Sequence, residues 1–117
     1  MGYPVAHFEV LGKDAKLLQD FYANAFGWTM KLQGGGYAMA HPGAARGIDG
    51  GVGPAMDGGP GHVTFYLEVP DLGPVLEKIG GLGGRTVMPP TDVPGGPTIA
   101  MFADPEGHVV GLVKARG

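Results

Sequence analysis

The sequence predicts an α+β fold built from two βαβββ modules. A strand with alternating apolar residues at 5–11 is followed by a helical pattern at 14–28, and the same order returns at 62–69 and 71–84. A constant offset of 57 residues superimposes the two halves, placing Asp14 on Asp71 and His7 on Thr64. A repeated unit of this size indicates one supersecondary structure used twice, each copy packing a helix on one face of a sheet.

The first module is predicted over residues 3–54. In "VAHFEVL" (5–11) alternate residues point to opposite faces, as in a half-buried strand. In the following helix an apolar face repeats at helical spacing, with Asp14 as N-cap and Gly27 just past the C-terminus. That face is predicted to consist of Leu18, Phe21, Tyr22, Ala25 and Phe26. Three short strands are predicted at 28–33, 36–41 and 47–53.

The second module is predicted over residues 62–116, after a glycine- and proline-rich linker at 53–61. "HVTFYLEV" (62–69) alternates throughout, and the helix at 71–84 begins at Asp71 as N-cap. Its apolar face is predicted to consist of Leu72, Val75, Leu76 and Ile79. Strands are predicted near 85–88, 97–103 and 108–114, with "DPEG" (104–107) as the last hairpin turn.

The apolar residues of each first strand are predicted to pack under the helix of the same module, which leaves the alternate residues facing away from it. Two curved sheets side by side would enclose a cup lined by these alternate residues. The predicted lining is His7, Glu9, Thr64, Tyr66, Glu68 and Phe102. Aromatic and methionine side chains, among them Trp28, Tyr37 and Met39, are candidates for its apolar part.

Composition excludes several classes of function. The chain has no cysteine and no serine, so thiolate metal sites, thiol nucleophiles and serine-based hydrolysis are ruled out. A net charge of −3 argues against nucleic-acid binding, which needs a basic surface. No apolar run is long enough to span a membrane and no signal pattern opens the sequence, so a cytoplasmic protein is expected. The 24 glycines do not indicate disorder, because 44% of residues are hydrophobic and only 16% are charged.

The chain resembles the vicinal oxygen chelate superfamily, which includes glyoxalase I, extradiol dioxygenases, methylmalonyl-CoA epimerase and the bleomycin- and fosfomycin-resistance proteins. The resemblance is carried by "HFEV", "DFYANAFGW", "YLEVPDLGPVLEKIGGLGG" and "FADPEGHVVGLV", which together cover nearly the whole chain in order. It implies a glyoxalase-like fold of paired modules around a cup-shaped sheet. In the enzymes of this superfamily the cup holds a divalent metal.

The resemblance also implies where four metal ligands would stand, on the first and last strands of the two modules. The first position is His7, which matches, whereas the second and the last fall on Thr64 and Gly111, which do not. The remaining position falls in "GIDGGVG", where Asp49 is the only candidate. We therefore expect no metal cofactor. A rearranged site, if one exists, would use His7 and His62 with Glu9 or Glu68.

The function expected from these residues is binding of a small organic molecule in the cup without the usual metal. The alternative is a metal-dependent lyase, isomerase or dioxygenase in which the ion would polarise substrate oxygens. A third interpretation is a dimeric interaction module, since proteins of this superfamily commonly form homodimers and exposed edge strands can pair across a two-fold axis. The sequence does not identify the ligand.

Overall fold

A computed structural model describes residues 2–116, so both terminal positions of the expected 1–117 domain lie outside the described residues. The two predicted βαβββ modules are confirmed. The first contains β1 (Val5–Gly12), α1 (Ala15–Phe26), β2 (Thr29–Leu32), β3 (Ala38–His41) and β4 (Gly50–Pro54). The second contains β5 (His62–Val69), α2 (Leu72–Gly81), β6 (Arg85–Asp92), β7 (Thr98–Ala103) and β8 (Val109–Lys114).

By their contacts the described residues form two compact units, and each is described separately. The first unit is His7–Thr64, and the second unit is residues 65–116 with the N-terminal segment 2–6. Neither helix within residues 2–116 has the length and apolar character needed to cross a membrane.

In the first unit the strand order is β2-β3-β4-β1, with β1 parallel to β4 and the other neighbours antiparallel. Helix α1 begins as predicted: the Asp14 side chain accepts a hydrogen bond from the Leu17 N–H at 3.0 Å. It also ends as predicted, because Gly27 adopts the left-handed conformation (φ 74°) and donates to the Ala23 carbonyl. Leu18 and Tyr22 pack on Val10 and neighbouring core residues.

The predicted apolar face of α1 is wrong for three of its five members. Phe21 is 57% exposed and Phe26 is 62% exposed, and Ala25 is exposed as well. The buried residue is Gln19, whose Nε2 donates to the Gly36 and Val52 carbonyls, each at 2.8 Å. The face of α1 that carries Gln19 therefore packs on the sheet, because two backbone carbonyls there accept hydrogen bonds from its amide.

In the second unit the strand order is β5-β8-β7-β6, with β5 parallel to β8 and the other neighbours antiparallel. The predicted apolar face of α2 is confirmed, since Leu72, Val75, Leu76 and Ile79 all belong to or pack on the core of this unit. Asp71 stands at the N-cap position, although its side chain makes no capping hydrogen bond. β6 is longer than predicted and its register with β7 shifts around Pro89 and Pro90, which cannot donate to a ladder.

Candidate functional site

Four polar side chains in the first unit form a connected cluster around a buried carboxylate. Glu9, on β1, is only 8% exposed. Its Oε2 accepts a hydrogen bond from the Tyr37 hydroxyl at 3.2 Å, and its Oε1 lies 3.3 Å from His62 Nε2. The Tyr37 hydroxyl lies 3.0 Å from His7 Nε2. These four residues, His7, Glu9, Tyr37 and His62, are called the Glu9 cluster below.

The alternation of β1 places the cluster on the sheet face opposite α1. Phe8 and Val10 belong to the core under the helix, so His7 and Glu9, which alternate with them, point the other way. This arrangement agrees with the predicted separation of the two faces of β1. The structure therefore brings together three of the residues named from the sequence, His7, Glu9 and His62, and adds Tyr37.

Tyr37 reaches Glu9 because two glycines of β4 leave room for its ring. Ala38 pairs with Val52 and Glu9 pairs with Gly51, so a side chain just before β3 must cross β4 to reach β1. A Cβ atom at Gly53 would stand 2.6 Å from Tyr37 Cδ1, and one at Gly51 would collide with the Tyr37 hydroxyl. The ring thus lies directly over Gly51 and Gly53. Any side chain there would displace it.

The electrostatics of the cluster keep Tyr37 and His7 uncharged near neutral pH. Burial, together with the charge and hydrogen bond of Glu9, raises the pKa of Tyr37 far above its usual value. Burial lowers the pKa of His7, while the Glu9 and Asp49 carboxylates oppose that shift more weakly. Since the phenol donates its one hydrogen to Glu9, its oxygen accepts from His7 Nε2–H. The hydrogen bonds of His7, Tyr37 and His62 therefore all lead to the Glu9 carboxylate.

An open groove of about 530 Å³ lies between α1 and the start of β5 in the first unit, on the face of β1 opposite to the one that carries His7 and Glu9. Its apolar walls include Leu17, Leu18 and Val63, and His62 lies at its edge. His62, which contacts Glu9, is the one member of the Glu9 cluster among the residues that line this groove.

The other residues predicted for the cup lie as follows. Thr64 is buried in the first unit. In the second unit, Tyr66 is buried with its ring over Gly111, and the backbone N–H of Glu68 donates to the Pro4 carbonyl. The proposal that these residues share one hollow stays a prediction.

Phe102 is a correction. It packs against the core cluster that contains Ala100, Leu112 and the buried residues of α2, so it lies on the helix side of β7. The alternation of β7 correctly groups Phe102 with Ala100. It could not tell which of the two faces the helix covers.

Two further histidines pair with carboxylates away from the Glu9 cluster. His41 Nδ1 lies 3.0 Å from Asp49 Oδ2, and His108 Nδ1 lies 2.9 Å from Asp104 Oδ2. Asp104 also accepts the N–H groups of Glu106 and His108, which lowers its pKa and confirms its role in the hairpin turn. The Asp49 carboxylate is therefore engaged by His41.

Comparison with known proteins agrees with this architecture. Residues 5–112 match the model of the Glyoxalase/Bleomycin resistance protein/Dioxygenase superfamily. The chain belongs to this superfamily. Among solved structures, a superfamily member from Vibrio splendidus has a TM-score of 0.65 at 15% identity, with 97% of this chain and 100% of that chain covered. A methylmalonyl-CoA epimerase has a TM-score of 0.66 at 16% identity, with 98% and 97% covered.

Two proteins with similar sequences match most of this chain. "Putative glyoxylase CFP32" from Mycobacterium tuberculosis is 29% identical over 110 residues, covering 91% of this chain and 42% of that protein. "Anthracycline biosynthesis protein DnrV" from Streptomyces peucetius is 30% identical over 119 residues, covering 87% and 43%. The chain thus spans about two fifths of the length of these relatives.

The residues present do not fit the divalent metal that the superfamily implies. Glu9 pairs with Gly51 and Tyr66 pairs with Gly111, and the offset of 57 makes Glu9 equivalent to Tyr66. Gly51, rather than Asp49, is therefore the first-module counterpart of Gly111. Both positions lack a side chain, and a Cβ at either would collide with a tyrosine ring. Within residues 2–116, no three histidine or acidic side chains are grouped closely enough to hold a metal ion.

Sequence reasoning missed the role of Tyr37, which it considered only as apolar pocket surface. The residue precedes a short strand, so alternation alone does not fix its direction. A signal was nevertheless present. Gly51 and Gly53 lie two residues apart on β4 and so share one face of the strand, which has no side chain at either position. Glycines in a strand are typical of a place where another group, here an aromatic ring, approaches the backbone closely.

Proposed function

We propose that this superfamily member binds a small organic molecule at the Glu9 cluster and does so without a metal ion. The observation that carries the proposal is the buried Glu9 carboxylate, held by Tyr37 and His62. Burying a carboxylate is costly unless it is paired, and such groups are concentrated at sites of function.

The electrostatics favour a ligand that carries a cation or a strong hydrogen-bond donor. Burial keeps His7 and Tyr37 uncharged near neutral pH, so these two neighbours contribute no positive charge beside the Glu9 carboxylate. An ammonium group complements the Glu9 carboxylate, because a hydrogen bond between two charged groups is stronger than one between neutral groups. A carboxylate ligand would be repelled.

The experiment compares three probes with the same ring: benzylamine, benzyl alcohol and benzoate. An anthracycline is added as a fourth probe because one similar protein is named an anthracycline biosynthesis protein. Amide chemical shifts of labelled protein are followed during titration at low salt. We expect saturable shifts around Glu9 and His62 with the amine, weaker ones with the alcohol and none with benzoate.

The matched variants are Glu9→Gln and Asp104→Asn. The first removes the buried charge and should weaken amine binding by about tenfold or more, whereas the second removes a carboxylate in a surface turn and should leave it unchanged. Equal binding of the amine and benzoate, or no effect of Glu9→Gln, would contradict the proposal.

The alternative is a metal-dependent enzyme with a rearranged ligand set. Its candidate ligands, His7, Glu9 and His62, lie within one unit, although they do not converge on one point in this structure. Metal analysis of protein purified without chelator tests it directly, since one equivalent of zinc, nickel, manganese or iron per chain would overturn the metal-free part of our proposal.

We further propose that the two modules function as one domain and that the chain forms a homodimer. Family membership supports both statements. Light scattering coupled to size-exclusion chromatography measures the mass in solution, and a monomer at all concentrations would contradict the dimer.

A further inference from the structure

The Tyr37 hydroxyl is held between two ionisable side chains. It stands 3.0 Å from His7 Nε2 and 3.2 Å from Glu9 Oε2, between an imidazole and a carboxylate. Those are two of the ligand types that divalent zinc prefers. The hydroxyl therefore occupies the space in which an ion shared by His7 and Glu9 would have to lie.

A third potential ligand is adjacent. His62 Nε2 lies 3.3 Å from the other oxygen of Glu9, so the carboxylate connects both histidines. All three belong to the first unit. With the phenol in place these groups are bound to each other through hydrogen bonds and do not converge on one point.

We propose that Tyr37 is the residue that determines the ligand class of this site. Its phenol links His7 to Glu9 and excludes a divalent cation, so the site is left to an organic ligand. Without the phenol, His7, Glu9 and His62 form a cation site. This inference deepens the proposed function. The statement that the site takes an organic ligand rests on that function, whereas the exclusion of cations by Tyr37 can be tested separately.

An ion at the position of the phenol oxygen would require the His7 and Glu9 side chains to move. Zinc–nitrogen and zinc–oxygen bonds are about 2.0–2.2 Å long, and the two groups now lie 3.0 and 3.2 Å from the phenol oxygen. An ion at that point therefore requires each ligand to move inward by roughly 1 Å. Rotation of the histidine and glutamate side chains supplies such a shift, whereas the ring over Gly51 and Gly53 prevents it.

The experiment is calorimetric titration of zinc chloride into wild-type protein, Tyr37→Phe and Tyr37→Ala. Wild-type protein should give no saturable binding. Tyr37→Phe keeps the ring over Gly51, so it should also give none. Tyr37→Ala empties the position and should bind one equivalent. Circular dichroism and amide spectra establish that each variant is folded.

Two controls locate the gained site. In the Tyr37→Ala background, His7→Ala should weaken zinc binding by at least about tenfold. His108→Ala, which removes an exposed histidine of the second unit, should leave it unchanged. If Tyr37→Ala does not fold, Tyr37→Val, which keeps a β-branched side chain before β3 but removes the ring over Gly51, should bind zinc as well.

The outcomes separate this inference from the proposed function. Stoichiometric zinc binding by wild-type protein overturns both. Folded Tyr37→Ala that binds no zinc, or binding that survives His7→Ala, overturns the inference alone. Failure of every organic probe, together with zinc binding gained by Tyr37→Ala, overturns the proposed ligand and supports the exclusion of cations by Tyr37.

Discussion

Helices α1 and α2 occupy equivalent places in the two modules, yet they bury different chemistry at the same position. The offset of 57 places Gln19 on Leu76. Leu76 packs among Val69, Leu72, Ala100 and Leu112, whereas Gln19 donates to two backbone carbonyls. The repeat thus preserves the order of elements while the packing under each helix differs. The first unit is held partly by specific hydrogen bonds, and the second by apolar contacts.

The largest effect is expected for the apolar helix. Leu76→Ala removes a nearly buried side chain from the core of the second unit, so the free energy of unfolding should fall by about 2–5 kcal/mol. Urea denaturation followed by circular dichroism measures it. A loss well below this range would show that the second unit collapses around the cavity and depends less on packing than the comparison implies.

A smaller loss is expected for the polar helix. Gln19→Ala leaves the Gly36 and Val52 carbonyls without their amide donor, which should cost about 1–3 kcal/mol. Gln19→Leu, with the residue type found at the equivalent position of α2, should not restore stability because the carbonyls stay unpaired. Full stability of Gln19→Leu would remove the distinction between the two helices.

The pH dependence of stability should also differ between the modules, since His7 in the first corresponds to Thr64 in the second. Burial lowers the pKa of His7 below its ordinary 6.5, so the unfolded chain takes up a proton there more readily than the folded protein. The contribution of His7 is complete above pH 6.5 and is lost as the pH falls toward the lowered value. Unfolding measured between pH 7.5 and 5.5 should show declining stability, and His7→Gln should reduce that slope.

The smallest effect is expected on the exposed side of α1. Phe21→Ser removes a ring that is 57% exposed and contacts Tyr22 edge to face. The unfolding free energy should change by less than about 1 kcal/mol. A loss comparable to that of Leu76→Ala would mean that this surface is covered in solution, and the oligomeric state would then need to be measured.

Much of the fold could be predicted because alternation and helical periodicity are local. Within residues 2–116 they located every strand and both helices, and they placed His7 and Glu9 on the face opposite the helix. They did not reveal that Phe102 lies on the helix side, since periodicity groups residues without naming the covered face. They also placed Phe21 and Phe26 on the buried face of α1. A hydrophobic pattern does not reveal that a polar side chain such as Gln19 is buried together with its hydrogen-bond partners.

The ring of Tyr37 over Gly51 and Gly53 has a consequence for how this sequence can change over time. A substitution at either glycine collides with the phenol, so it is tolerated only after position 37 has become smaller. The reverse order is open, because loss of the ring leaves the glycines unhindered. Mutational paths through these three positions are therefore directional, and the effect of each step depends on which residue changed first.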